Sequence, residues 1–299
     1  MRLEGTRLRF SQRHPFLFGV MMILLAVVLV MGATAFLRSV GLGPGGGFGA
    51  AKLGVVEVEG MILDSAEVVG WIRTLKDDDS IQGVLLRVNS PGGAIAPSQE
   101  IYQAVADLAG LKPVIASYST VAASGGYYAS VPAHIIMANP GSITASIGVM
   151  AEFITVAEAL EKLGIKPEVL TTGRFKAAGT PMRDLTPEQR EQLLGLMRDL
   201  HEQFVDDVAA ARKMERARVA AVADGRAVTG RQALELGLVD MLGSESQAFD
   251  HLKVMCGIEG RAVLVRGPIK ERTMLERFVG SLKIDFSSQA VHGWTFSYK

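Results

Sequence analysis

Phe16 to Leu37, FLFGVMMILLAVVLVMGATAFL, contains no charged side chain. A run this long and this apolar has no place on the surface of a water-soluble domain. As a helix it measures about 33 Å at ~1.5 Å per residue, enough to cross the hydrocarbon core of a bilayer. It therefore divides the chain before any other feature does. Arg2, Arg7, Arg9 and Arg13 precede the run, and only Arg38 follows closely. The positive-inside rule then keeps residues 1–15 in the cytoplasm and sends everything after the anchor across the membrane. Ala33-Thr34-Ala35 has the small-x-small form of a signal cleavage site. Against cleavage, the run exceeds the roughly 7–15 residues of a signal h-region, which favours a retained anchor over 16–37.

Residues 38–52 include GLGPGGGFGAAK, a glycine-rich stretch that suits neither helix nor strand and is expected to be a flexible linker. From Leu53 the pattern changes. LGVVEVEGMI alternates as a strand does, IQGVLLRVNSPGG is an apolar strand ending in a glycine turn, and a helix is expected over 96–109. PVIASYS and HIIMANP are further strands, and ITVAEALEKLG is a helix. Strands alternating with helices indicate an α/β domain with a parallel sheet buried on both faces, placed over 53–260. Residues 261–299 hold a strand-like AVLV and an amphipathic TMLERFVGSLKI that could pack on the core, a neighbouring subunit or the membrane.

Two helices announce their own starts. Thr186 is an N-cap, Pro187 the first helical residue and Gln189 the closing member of a capping box. Leu193, Met197, Leu200, Phe204 and Val208 then share one face. Thr229 and Gln232 repeat the device, and Gly237 ends that second helix. The 31 basic and 31 acidic residues cancel, so no net charge draws the chain to nucleic acid. Cys256 is the single cysteine, which excludes an intramolecular disulfide framework and a cysteine-rich metal site.

Candidate chemistry begins at RVNSPGG. The Gly93 N–H is available either as an oxyanion donor or simply as part of a strand–helix turn, and taken alone the turn is the simpler reading. In STVAASGGYYAS, Ser124 stands between alanines and glycines, so a peptide backbone could approach its hydroxyl. Gly125 would supply a second N–H opposite Gly93, while an N-cap serine in a tightly packed helix explains the same residues. A serine nucleophile needs a base. None of His14, His134, His201, His251 and His292 stands in a triad-like setting, and His201 falls on the helix face away from the apolar stripe. Lys176, in TTGRFKAAGTP, follows a glycine turn among small neighbours. To act as a base it must lose its water, since full burial lowers a lysine pKa by roughly 3–5. Taken locally, a solvated loop lysine is the simpler reading.

RVNSPGG, STVAASGGYYAS, ANPGSITASIGVM, TTGRFKAAGTPMRDLTPEQRE and DGRAVTGRQALELGLVD occur in one order and spacing. That series resembles peptidase family S49, the membrane-anchored bacterial serine peptidases, over roughly Leu53 to Gly257 and in its short, single-copy form. The resemblance implies a ClpP/crotonase-like α/β spiral fold behind an N-terminal transmembrane helix. It makes Ser124 the nucleophile, Lys176 the general base, Ser146 the hydroxyl that positions the lysine, and Gly93 and Gly125 the oxyanion-hole donors. It implies no metal and no cofactor. It further implies signal-peptide remnants and other hydrophobic peptides as substrates, the bilayer as a partner, and a bacterial inner-membrane location. Short forms form a ring or dome, so an octameric homo-oligomer with the dyad shared between protomers is implied too. Two positions depart from the family pattern: Ala177 follows the lysine where a small polar residue is usual, and Ala145 replaces a usual glycine. A crotonase-type acyl-CoA enzyme and a non-catalytic membrane scaffold of the same fold are the competing readings. The anchor, Ser124 and Lys176 do not fit the first.

Overall fold

The computed structural model describes residues 14–39, 51–268 and 296–298. Expectations for Arg2 to Arg13, the linker glycines 41–49, the amphipathic segment 273–284 and His292 lie outside the described residues. The chain forms two compact units, Met1–Ala50 and Ala51–Lys299.

In the first unit, α1 (Pro15–Ser39) is a single uninterrupted helix. Its stretch Pro15–Phe36 is long and apolar enough to cross a membrane, and none of that stretch is buried against protein. The Thr34 hydroxyl donates to the Met31 carbonyl at 2.9 Å, so the one polar side chain of Pro15–Phe36 is satisfied within the helix.

The second unit is built on a parallel ladder. Along it run β9 (Ala262–Gly267), β1 (Ala51–Ile62), β2 (Ile81–Ala94), β3 (Val114–Ala123), β4 (Ile135–Ala138) and β8 (Met241–Leu242), in that spatial order. Alternation along these strands sorts side chains into two cores. Val56, Val84, Leu86, Val114 and Ala116 face one cluster, while Val55, Leu85 and Ile115 face the other. Both faces are thus covered, as a parallel sheet requires. On the larger side lie α2 (Ala66–Asp77), α3 (Ile95–Ala109), α4 (Gly125–Ser130) and the long α6 (Pro187–Arg212), and on the smaller side lies α9 (Glu245–Met255).

The sheet is mixed rather than purely parallel. β5 (Ile143–Ala145) runs parallel to the end of β3 but antiparallel to β7 (Ala227–Thr229). β6 (Met150–Ala151) and β10 (Phe296–Tyr298) join antiparallel beside the end of β2. Strand β1 starts at Ala51, two residues inside the glycine-rich stretch, because Ala51 and Lys52 pair with β9. The helix expected over ITVAEALEKLG shrinks to α5 (Ala157–Lys162), which buries no residue and so has no core to extend it.

Both capping boxes form as the sequence indicates. Thr186 accepts from the Gln189 N–H at 3.2 Å, and Thr229 accepts from the Gln232 N–H at 3.3 Å. Gly237 ends α8 (Gly230–Leu236) at φ 78°, a left-handed conformation that glycine adopts without strain. Phe204 and Val208 of α6 are fully buried. The expectation for His201 needs correction: its Nε2 lies 2.8 Å from the Ala223 carbonyl, so it is a half-buried structural contact. Cys256 is half-buried at the end of α9, where burial pushes its thiol pKa up.

Candidate active site

Strands β2 and β3 pair as far as Ser90 opposite Ala122 and then part, and the candidate residues collect at this fork. A crevice at the carboxyl ends of parallel strands, where neighbours diverge, is where open α/β sheets present their sites. After Ala123 the chain turns sharply at Ser124 into α4, whose place is fixed by three tyrosines. The Tyr127 hydroxyl donates to the Leu238 carbonyl at 2.9 Å. The Tyr128 hydroxyl bonds Asp207, and its ring meets Phe204 edge-on at 4.8 Å between centroids. Tyr118 of β3 shares a hydrogen bond of 2.8 Å with Ser130 at the far end of the helix. Burial raises the pKa of both Tyr118 and Tyr127, so they remain neutral anchors.

With α4 locked, its first residues press against the SPGG turn, and this explains the run of small residues. A Cβ on Gly125 would fall 2.5 Å from Ser98 Oγ and 3.2 Å from the Gly93 nitrogen. A Cβ on Gly126 would meet the Ser90 carbonyl oxygen at 2.7 Å. Gly93 itself pairs with Ile62 of β1, and a Cβ there would fall 2.1 Å from the Ile62 carbonyl oxygen. Gly92, at φ 102°, lets the turn close, and its N–H donates to Ser90 Oγ at 3.1 Å. Gly93 and Gly125 are thereby brought into contact beside Ser124.

Ser124 occupies the cap position of α4 but does not cap it. Its side chain makes no capping bond, and its backbone sits at φ 54°, ψ −118°. Its Oγ is fully buried and has no hydrogen-bond partner among the described residues. A buried hydroxyl left unpaired costs about 1–3 kcal/mol, and a strained non-glycine φ costs about 1–3 kcal/mol more. Strain is concentrated here: Ser124, Ala145 and Ser146 are three of the four described non-glycine residues at positive φ. The Ser124 N–H donates to the Ala145 carbonyl at 2.7 Å, which places Ser146 one residue from that contact.

Ser146 is held by the loop before β7. Its N–H donates to the Arg226 carbonyl at 3.0 Å, and its Oγ donates to the Gly225 carbonyl at 3.3 Å. That loop is tied by Arg226 against Asp224, whose carboxyl is held down to about 2, chiefly by the hydrogen bond from Arg226. Ala145 takes φ 62°, in the left-handed region. Ala145→Gly is expected to raise stability by about 0.5–1 kcal/mol, because relief of the left-handed strain exceeds the added freedom of the unfolded chain. Chemical denaturation of the two proteins checks the sign.

Lys176 is not hydrogen-bonded to Ser124, whose Oγ has no partner among the described residues. Its loop hangs on the start of α6: Ala177 and Ala178 are buried, and the Gln189 side chain donates to the Arg174 carbonyl at 3.4 Å. Lys176 itself is exposed in the single chain. The segment that leads to it exposes apolar side chains among its charges, with Leu163 72% and Leu170 86% exposed. The described contacts thus group Ser124, Gly93, Gly125 and Ser146, while Lys176 stands exposed on its own loop. Sequence reasoning did not single out Ser98 or the Asp224–Arg226 pair. Ser98 lies outside the quoted motifs, and although Asp224 and Arg226 open DGRAVTGRQALELGLVD, only the folded contacts reveal their pairing.

An α/β sheet with a strained serine turn packed on a glycine turn defines a class, and comparison with known proteins identifies it as peptidase. The profile of "Peptidase family S49" matches residues 106–259. A Synechocystis sp. protein bearing a provisional protease name is 38% identical over 210 residues, covering 70% of this chain and 76% of that protein. "Serine protease SPPA, chloroplastic" of Arabidopsis thaliana is 34% identical over 68% of this chain and 30% of its own length. "Protease 4" of Haemophilus influenzae is 33% identical over 66% of this chain and 34% of its own. The chain therefore belongs to peptidase family S49, and its sheet is that family's ClpP-like α/β fold. Against these last two relatives the chain spans about a third of their length.

Proposed function

We propose that this chain is a single-pass serine endopeptidase of the bacterial inner membrane that degrades remnant signal peptides with a Ser124–Lys176 dyad. The observation that carries the reading is the Ser124 hydroxyl: buried, unpartnered and held in a strained turn against Gly93 and Gly125. A residue kept at such cost where nothing in the fold uses it is retained for a reaction.

In the mechanism, a neutral Lys176 amine takes the Ser124 proton and the alkoxide attacks the peptide carbonyl. The Gly93 and Gly125 N–H groups hold the developing oxyanion. The ammonium of Lys176 then protonates the leaving amine, and water, deprotonated by the same lysine, hydrolyses the acyl-enzyme. Ser146 accepts from the ammonium and orients it. Neither metal nor nucleotide is required by these steps. Because Lys176 is exposed within one chain, its desolvation must come from a second copy. The exposed segment around Leu163 and Leu170 is the surface that such a copy would cover, in keeping with a ring of protomers. Helix α1 holds the catalytic unit at the membrane, where a severed signal peptide is left after processing.

Full-length protein in detergent micelles is expected to be labelled by a fluorophosphonate probe, and Ser124→Ala to lose the label completely. Equal labelling of both proteins would refute the nucleophile assignment.

A further inference from the structure

The side chain of Arg212, the last residue of α6, is only 8% exposed. Its guanidinium grips Asp240 with two N–H groups, Nη1 to Oδ2 at 2.9 Å and Nη2 to Oδ1 at 2.6 Å. Nη2 also donates to the Gly237 carbonyl at 3.3 Å. Asp240 is tied in turn to β4: its Oδ2 accepts from the Ile136 N–H at 2.7 Å, and its own N–H donates to the Ile136 carbonyl at 2.9 Å. The Arg212 Nε is buried with no hydrogen-bond partner among the described residues. Such enclosure is a poor way to gain stability, since a buried ion pair adds little over apolar side chains of the same volume. It is a good way to fix a register, because the planar fork of a guanidinium accepts its partners in one geometry.

What is fixed is segment 237–240, and that segment holds the helix that follows Ser124. Leu238, between the two residues that Arg212 grips, accepts the Tyr127 hydroxyl at its carbonyl. Tyr127 is fully buried in the first turn of α4, close behind Ser124 and Gly125. Resting on the peptidase reading of this site, we propose that Arg212 is a positioning residue for the reaction, setting the Ser124 hydroxyl and the Gly125 N–H through Leu238 and Tyr127. With six residues, α4 is too short to hold its own place, so what its side chains meet decides it. Helix α6 reaches it twice: directly, where Asp207 bonds the Tyr128 hydroxyl, and indirectly, through Arg212 and segment 237–240. Two attachments to one long helix fix the rotation of α4 as well as its distance. Rotation is what aims the Gly125 N–H, and a hydrogen bond to a developing oxyanion weakens steeply with misalignment.

A double-mutant cycle on peptide hydrolysis tests this, using full-length protein in detergent micelles well below the unfolding temperature of each variant. Arg212→Met is expected to lower kcat by about 30-fold with KM within about twofold, because a displaced oxyanion donor is felt in the transition state. Tyr127→Phe, which removes only the hydroxyl, is expected to lower kcat by about tenfold. Adding Arg212→Met to Tyr127→Phe is expected to cost about threefold more, where independent effects would multiply to about 300-fold. Arg212→Lys, which keeps the charge but not the fork, is expected to fall between Arg212→Met and the parent, and it replaces Arg212→Met in the cycle if that variant does not fold. Undiminished kcat in the arginine variant, or losses that multiply, overturns the proposal. Absence of Ser124-dependent hydrolysis in the parent would instead sink the peptidase reading. Hydrogen exchange at the Tyr128 amide, which donates to the Ser124 carbonyl at 2.8 Å, then decides the positioning role. Faster exchange there than at the β3 amides, in both the Arg212 and Tyr127 variants, supports it, and unchanged exchange overturns it.

Discussion

Ser124→Ala is expected to lose peptide hydrolysis by about 10^5–10^6-fold and yet to be more stable than the parent protein. The two effects share one cause. The hydroxyl is fully buried and has no hydrogen-bond partner among the described residues, so its removal deletes an unpaid desolvation cost of about 1–3 kcal/mol. For a unit of this size that is a rise in Tm of roughly 2–10 °C. Alanine leaves the backbone at φ 54° as strained as before, so Ser124→Gly should gain further stability. Thermal unfolding of the three proteins, read beside their hydrolysis rates, checks the ordering. A Ser124→Ala protein less stable than the parent would mean that the hydroxyl does structural work, and the argument from its isolation would collapse.

The parts of the fold legible in the sequence were those with strong local signals. The capping boxes at Thr186 and Thr229 and the glycine stop at Gly237 are set by side chains within one turn, so the sequence alone places them. Apolar strand runs placed β1 to β4 for the same reason. Helix α9 carried an equal signal, Ser244 with Gln247, in a stretch whose apolar residues are sparse. The strands β5 to β8 and β10 are two or three residues long, too short for any periodicity to show. At the site, the glycine and serine motifs were legible as motifs. That α4 presses on the SPGG turn depends on Tyr127, Tyr128 and Phe204, which look like ordinary core residues until they are seen clamping one short helix.

The position of Lys176 sets up the second large effect. Lys176→Ala is expected to lower hydrolysis by about 10^3–10^4-fold, because the proposed mechanism gives the serine proton to this amine. Stability should change by less than about 0.5 kcal/mol, since the side chain is exposed in the single chain. Two inactive proteins then follow, Ser124→Ala and Lys176→Ala, each intact in the residue the other lacks. If the lysine of one copy serves the serine of the next, random co-assembly of equal amounts restores about a quarter of the sites. If each chain uses its own lysine, no mixed assembly contains a working pair and nothing is restored. Burial of Ala177 and Ala178 ties the backbone of the loop to its own subunit, while the exposed leucines of the adjoining arm require cover from outside it. On the proposed assembly, that cover would come from a neighbouring copy. Recovery near one quarter after dissociation and reassembly is therefore the expected outcome, and no recovery despite demonstrated subunit exchange would return the dyad to a single chain.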